Sequence, residues 1–142
     1  MTPNDMAAHL GIQELYSRYC FAYDNDELDR FADCFVADAV FAVGSKEFTG
    51  DEIRMIASRP GRPRHHYLNL WVREVEGDRA GSSAYFFLVE RETGLTVGYG
   101  DYHDVVQRGD DGRWRFVRRD VEFLWQTPEE LAAVARVIGE SS

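Results

Sequence analysis

The sequence is poor in the features that mark most large functional classes. It has two cysteines in 142 residues, Cys20 and Cys34, too few for the disulfide framework of a small secreted domain. Both sit among apolar neighbours in helix-like stretches and read as small buried hydrophobes. No run approaches the roughly 20 apolar residues that a membrane span requires. Met1 to Ala8 holds no basic region followed by an apolar run, so no signal peptide is expected and the cytoplasm is the default location. Positive charge is scarce: 16 Lys and Arg stand against 25 Asp and Glu, a net charge of −9. That balance argues against nucleic acid and anionic membranes as partners. The arginines that do cluster, Arg113, Arg115, Arg118 and Arg119, read as a solvated strand of alternating charge. Phosphate-cradling glycine motifs, a Gly-x-Ser-x-Gly elbow and zinc-type Cys/His spacings are all missing, so neither a nucleotide cofactor nor a metal is expected.

What remains is ordinary globular material. Hydrophobic residues make up 44% and charged residues 29%, and the length fits one domain spanning 1–142. Aromatics reach 13%, enough to line a pocket as well as a core.

Periodicity places the helices first. Ile12, Leu15, Tyr16, Tyr19, Cys20 and Tyr23 recur at three- and four-residue spacings and predict a helix over about 4–24, with Asn25 as its left-handed terminator. Asp26 then suits an N-cap for a short helix over 27–35. A strand over 38–43 and a helix over 51–58 follow, and Arg59-Pro60-Gly61-Arg62-Pro63 is a loop by composition. Beyond it the period switches to two. Strands are predicted over 65–75, 79–90, 96–107 and 113–124, joined by tight polar turns into an antiparallel meander. Gly98-Tyr99-Gly100 inside the third of these suggests a bulge or bend. Thr127-Pro128-Glu129-Glu130 opens a last helix with Leu131, Val134 and Ile138 as its apolar face and Gly139 as its stop. Helices followed by a long antiparallel sheet make an α+β domain in which a twisted sheet curls around the helices and leaves a pocket.

Three places in this pattern carry chemistry. With Tyr16 as zero, Asp24 lies about 80° round the helical wheel, at the edge of the apolar stripe, where a carboxylate can look into the core. On the first meander strand His65, Tyr67, Asn69 and Trp71 share one face, and His66, Leu68, Leu70 and Val72 the other. The two histidines therefore point opposite ways and do not share a metal. On the last strand Arg118, beside Trp114 and Phe116, is placed to reach the pocket and steady a negative charge. A carboxylate beside an imidazole fixes its tautomer and makes it a general base near working pH. Arg118, Tyr19 or Tyr23 would stabilise the developing oxyanion.

Four segments carry a resemblance: Ile12-Gln13-Glu14-Leu15-Tyr16-Ser17-Arg18-Tyr19 with Tyr23-Asp24 following, Phe35-Val36-Ala37-Asp38-Ala39-Val40-Phe41, His65-His66-Tyr67-Leu68-Asn69, and Asp111-Gly112-Arg113-Trp114-Arg115-Phe116. In this order they resemble the SnoaL-like branch of the NTF2-like superfamily, which includes polyketide cyclases, scytalone dehydratase, ketosteroid isomerase and the lindane dehydrochlorinase. The resemblance implies a cone-shaped fold, often a homodimer or homotrimer, and a cofactor-free site. It matches Asp24 to a helix-one aspartate and His65 to its histidine partner, and an arginine four residues after the strand tryptophan to Arg118. Tyr23 matches the tyrosine of a tyrosine–aspartate pair, and Tyr16, Tyr19, Tyr23 and Asn69 are the expected substrate contacts. Tyr19 stands where the dehydrochlorinase has a lysine, which speaks against chloride elimination. For a second histidine of the dehydratase the candidates are His103 and Tyr85.

The expected function is a lyase or isomerase, dehydratase- or cyclase-like, acting on a small hydrophobic oxygenated molecule through an Asp24–His65 dyad. Two alternatives are a binding protein, which would leave Asp24 in solvent or far from His65, and a small structural subunit of a ring-hydroxylating oxygenase.

Overall fold

The computed structural model describes residues 1–137 and 139. Helix α1, Pro3–Asp24, starts earlier than its apolar stripe, because Thr2 and Asp5 form a reciprocal capping box and Pro3 takes the first turn. Its buried side runs through Ala8, Ile12, Leu15, Tyr16, Tyr19, Cys20 and Tyr23. Each large side chain on that stripe contributes on the order of 1.5–3 kcal/mol through burial. Gly11 is the contact point with the sheet: a Cβ there would lie 2.4 Å from the Trp114 ring, so only glycine lets the helix seat on the indole.

The chain leaves α1 differently from expectation. Asn25 has φ −111° and Asp26 takes the left-handed conformation, with φ +61°. Glu27 rather than Asp26 precedes α2, Leu28–Ala32. The next strand, β1, is longer than expected, Phe35–Val43, and turns at Gly44-Ser45 into a short β2, Lys46–Thr49, which hydropathy did not reveal. Helix α3 spans Asp51–Ile56. The meander follows as β3 Arg64–Glu76, β4 Arg79–Val89, β5 Thr96–Arg108 and β6 Trp114–Gln126. The six strands form one sheet in the order β2-β1-β6-β5-β4-β3, antiparallel throughout except where β1 pairs with β6 in parallel. The sheet is curved and unclosed, with α1 packed in its concave side, as the α+β reading requires.

Bulges curve it. At Tyr99/Gly100 the β5–β6 register slips, and a Cβ on Gly100 would fall 1.9 Å from the Glu122 carbonyl oxygen, so glycine permits the close approach. Two further bulges reset which residues face inward, and both bear on the site. The closing helix α4, Pro128–Val137, presents Glu130, Val134 and Val137 to the interior, one face at i, i+4 and i+7. The expected Leu131 is instead 56% exposed, and Ile138 lies outside the described residues. No described helix is long and apolar enough to cross a membrane.

Candidate active site

Asp24 ends α1 and is only 9% exposed, and His65 begins the inner face of β3. They meet directly: His65 Nδ1 lies 2.7 Å from Asp24 Oδ1, and the His65 backbone N–H donates to both carboxylate oxygens at 2.9 and 3.1 Å. An ionised carboxylate only accepts, so the Nδ1 atom facing it carries the proton and Nε2 keeps its lone pair. Burial lowers the His65 pKa, and the Asp24 hydrogen bond and charge, which raise it, do not cancel the loss. The ring is therefore neutral at neutral pH and able to accept a proton.

Two arginines fix the aspartate. Arg62 Nε donates to the Tyr23 carbonyl at 2.6 Å, and Arg91 donates to the carbonyl of Asp24 itself. Cationic groups on the last helical carbonyls complement the negative end of the helix. Neither arginine stands out in the sequence, since both lie in polar loop segments far from α1.

His65 lines a cavity of about 50 Å³ together with Tyr19, Tyr23, Phe41, Leu88 and Tyr102. The Tyr23 ring packs on the imidazole at 4.1 Å between centroids, and Tyr19 meets it edge-on at 6.1 Å. Burial pushes the Tyr23 hydroxyl up to about 12 and raises Tyr19 and Tyr102 well above the ordinary phenol value. All three remain protonated donors at neutral pH.

The other expected site residues lie elsewhere. Arg118 points outward, bound to Asp120 at 3.0 Å and Glu47 at 2.9 Å. The cause is a bulge at Val117: Phe116 pairs with Val106 and Arg118 with Val105, so one residue is unpaired and the inner face passes from Phe116 to Arg119. Asn69 is exposed for the same reason. With φ +56° it takes up the extra residue between the pairs Leu68–Tyr85 and Trp71–Ser83. Leu70 and Val72 then pack inward and Trp71 turns out, 65% exposed. Tyr16 is buried but does not line the cavity; its hydroxyl bonds Asp104 and lies 3.1 Å from Ser82 Oγ. His66 stacks on Phe87, and Tyr85 is exposed. His103 lies on the outer sheet face beside Asp101 and Glu122, so neither candidate for a second histidine reaches the cavity.

In place of Arg118 the interior holds Arg119, fully buried and not part of a solvated stripe. Its Nε and Nη2 donate to Asp104 at 3.0 and 3.2 Å. Its guanidinium sits 3.6 to 4.7 Å from the centroids of Tyr102, Phe116, Tyr19 and Tyr16. Burial opposes this charge, yet Asp104 and the surrounding tyrosines outweigh it and hold the guanidinium pKa above its ordinary value. A second buried pair, Arg59 with Glu130, forms part of the cavity wall. Asp104 had a sequence signal: it falls in phase with Tyr102 and Val106 on the inner face of β5.

The curved, unclosed sheet wrapped on α1 places the chain in a class, the NTF2-like folds. Within it, the SnoaL-like domain matches residues 4–120, and the chain belongs to that family. A Mycobacterium tuberculosis protein of unknown function is similar to it over 99% of this chain and 90% of its own, at 28% identity and a TM-score of 0.81. A candidate scytalone dehydratase from Novosphingobium aromaticivorans is similar over 89% and 91%, at 23% identity and 0.78. The hexachlorocyclohexane dehydrochlorinase LinA-type3 from Novosphingobium barchaimii follows at 88% and 92%, 22% identity and 0.72. Below a quarter identity, the last two likenesses establish shared fold. No curated protein matches the chain.

Proposed function

We propose that the chain is a cofactor-free lyase or isomerase, dehydratase- or cyclase-like, that removes a proton from a small hydrophobic oxygenated molecule. The observation that carries this reading is the 2.7 Å contact between Asp24 and a cavity-lining His65. His65 Nε2 takes a proton from the carbon next to a carbonyl. Asp24 holds the opposite ring nitrogen and stabilises the imidazolium that forms. The electron pair moves onto the carbonyl oxygen, where the Tyr19 and Tyr23 hydroxyls donate to the developing oxyanion. Arg119 lies behind Tyr19 and Tyr102 and makes their hydroxyls better donors. In a dehydration the pair then expels a β-hydroxyl, which leaves as water with the proton that His65 returns. The kinship with dehydratase-type folds agrees with this chemistry. A binding protein has no need for an aspartate withdrawn from water against a histidine.

The test is water loss from a panel of hydroxylated bicyclic ketones, followed by NMR. His65→Gln and Asp24→Asn should each lower kcat/KM by about 10²–10⁴ while the far-UV spectrum stays native. A folded variant of either kind that keeps more than about a tenth of the activity removes the general base from the account.

A further inference from the structure

The pair in the cavity wall has an unusual origin. Glu130 occupies the third position of α4, where Thr127-Pro128-Glu129-Glu130 predicts a reciprocal capping box. Only half of it forms. Thr127 Oγ1 accepts the Glu130 N–H at 3.2 Å, but the Thr127 N–H donates to the Val97 carbonyl at 2.8 Å. The Glu130 carboxylate turns inward instead onto Arg59, whose Nη2 donates to Oε2 at 2.8 Å while Nη1 lies 2.7 Å from Oε1 as an ion-pair contact outside hydrogen-bond geometry.

Arg59 and Glu130 are 7% and 6% exposed. Arg59 Nε is buried and has no hydrogen-bond partner among the described residues. Two charges taken out of water are weak ground for stability, and an unmet guanidinium N–H weakens it further. The same geometry suits recognition, because a guanidinium edge fits a planar carboxylate in two parallel hydrogen bonds.

The position of the pair points the same way. Arg59 stands on the loop between α3 and β3, and Glu130 on the terminal helix. Phe48, Ile56, Arg59 and Val137 line both the inner cavity and an outer cleft of about 710 Å³ between α3 and α4. Glu130 can therefore be withdrawn toward solvent without unpairing a strand. One carboxylate would replace another on Arg59, so the exchange buries no new net charge. Arg59 is also near enough to His65 and Tyr23 for its charge to bear on both.

Building on the proposed acid–base role of this cavity, we infer that Arg59 anchors a carboxylate of the substrate and that Glu130 is the internal surrogate it displaces. The ligand class is an aromatic or alicyclic carboxylic acid. Its carboxylate lies on Arg59 at the mouth, and its apolar body lies against Tyr19, Tyr23 and Leu88 toward His65, in space that opens when Glu130 and α4 withdraw from the closed cavity of about 50 Å³.

Calorimetric titration at pH 7.5 with benzoate, trans-cinnamate and 2-naphthoate, each against its neutral amide, tests this. Glu130→Gln removes the competitor and should bind at least one acid tenfold or more tighter than the native chain does, with amide affinity changed less than threefold. The double variant Arg59→Met/Glu130→Leu leaves no charge unpaired, keeps the packing, and should bind acid and amide alike. The inference is overturned if Glu130→Gln binds none of the three acids, gains nothing over the native chain, or fails to prefer acid to amide. His65→Gln separates this from the chemistry. If it abolishes turnover while acids and amides bind alike, the anchor fails and the base stands. If it retains turnover while Glu130→Gln tightens the acids, the base fails and the anchor stands.

Discussion

Among the described residues the cone holds two buried arginine–carboxylate pairs, and they are built to different ends. Arg119 and Asp104 belong to neighbouring strands of the sheet, β6 and β5, and are wholly excluded from solvent. Four aromatic rings crowd the guanidinium, and Tyr16 adds a third group to the carboxylate. Arg59 and Glu130 join a loop to the last helix at the cavity wall, and in both pairs one guanidinium nitrogen, Arg59 Nε and Arg119 Nη1, has no hydrogen-bond partner among the described residues. A pair tied into a strand ladder cannot part without disturbing the sheet. A pair between a loop and a terminal helix can. The same chemistry thus serves as a fixed internal charge behind the cavity's tyrosine wall and as an exchangeable latch in its lining.

The largest expected effect breaks the fixed pair. Arg119→Met strands the Asp104 carboxylate among aromatic rings, and removing one partner of a buried pair costs about 3–5 kcal/mol. Arg59→Met should cost clearly less, because Glu130 can swing to water with α4. Urea unfolding of both variants measures the difference. Equal losses would erase the distinction between the two pairs.

The distinction was only partly legible in the sequence. The stripe on α1 and the wheel position of Asp24 were enough to place that carboxylate at the edge of the core, since helical phase holds without interruption to the end of α1. Alternation likewise put His65 and His66 on opposite faces, and the resemblance chose His65 as the inward one. Alternation failed beyond Asn69 and beyond Val117 for a single reason: a strand keeps its period of two only until a bulge inserts a residue, and hydropathy does not announce a bulge. Asn69, Trp71 and Arg118 were all assigned inward by carrying the phase through one. The resemblance counted four residues past Trp114 to Arg118, whereas the fifth, Arg119, is the one inside. Arg59, Asp104 and Glu130 were passed over because charged residues are assumed solvated. Phase alone could have flagged Asp104 beside Tyr102 and Val106, and Glu130 beside Val134 and Val137. Arg59 sits in a loop, where no period exists to read.

A smaller effect sharpens the comparison at His65, which feels the latch. Arg59 lowers the His65 pKa and Glu130 raises it, while burial supplies the main depression. An NMR titration of the ring should find it titrating below the ordinary 6.5. Arg59→Met should move that titration up and Glu130→Gln should move it down, with Arg119→Met leaving it in place. The sign for stability follows. The unfolded chain binds the proton more readily, so this contribution is complete above about pH 6.5 and is lost as pH falls below it. Urea midpoints at pH 7.5 and 5.5 should differ less in His65→Gln than in the native chain. A ring that titrates above 6.5 would mean that Asp24 outweighs burial, and the neutral base would have to be abandoned.

The smallest effect separates two adjacent arginines. Arg118 is partly exposed and bound to Asp120 and Glu47, themselves half in water, and pairs of that kind contribute about 0–1 kcal/mol. Arg118→Ala should therefore shift stability by no more than about 0.5 kcal/mol and leave turnover unchanged. Its neighbour one residue on differs in every respect, and the only structural cause is the unpaired Val117 between Phe116 and Arg118. Deleting Val117 removes the extra residue and leaves Phe116, Arg119 and Val121 in strict alternation on the inner face, with Arg118 still outside. That variant should keep the native fold, with a urea midpoint close to that of the native chain, because Arg119 still meets Asp104 and Arg118 still meets Asp120 and Glu47. A Val117 deletion that fails to fold would show that the bulge does more than carry the phase of β6 past one extra residue.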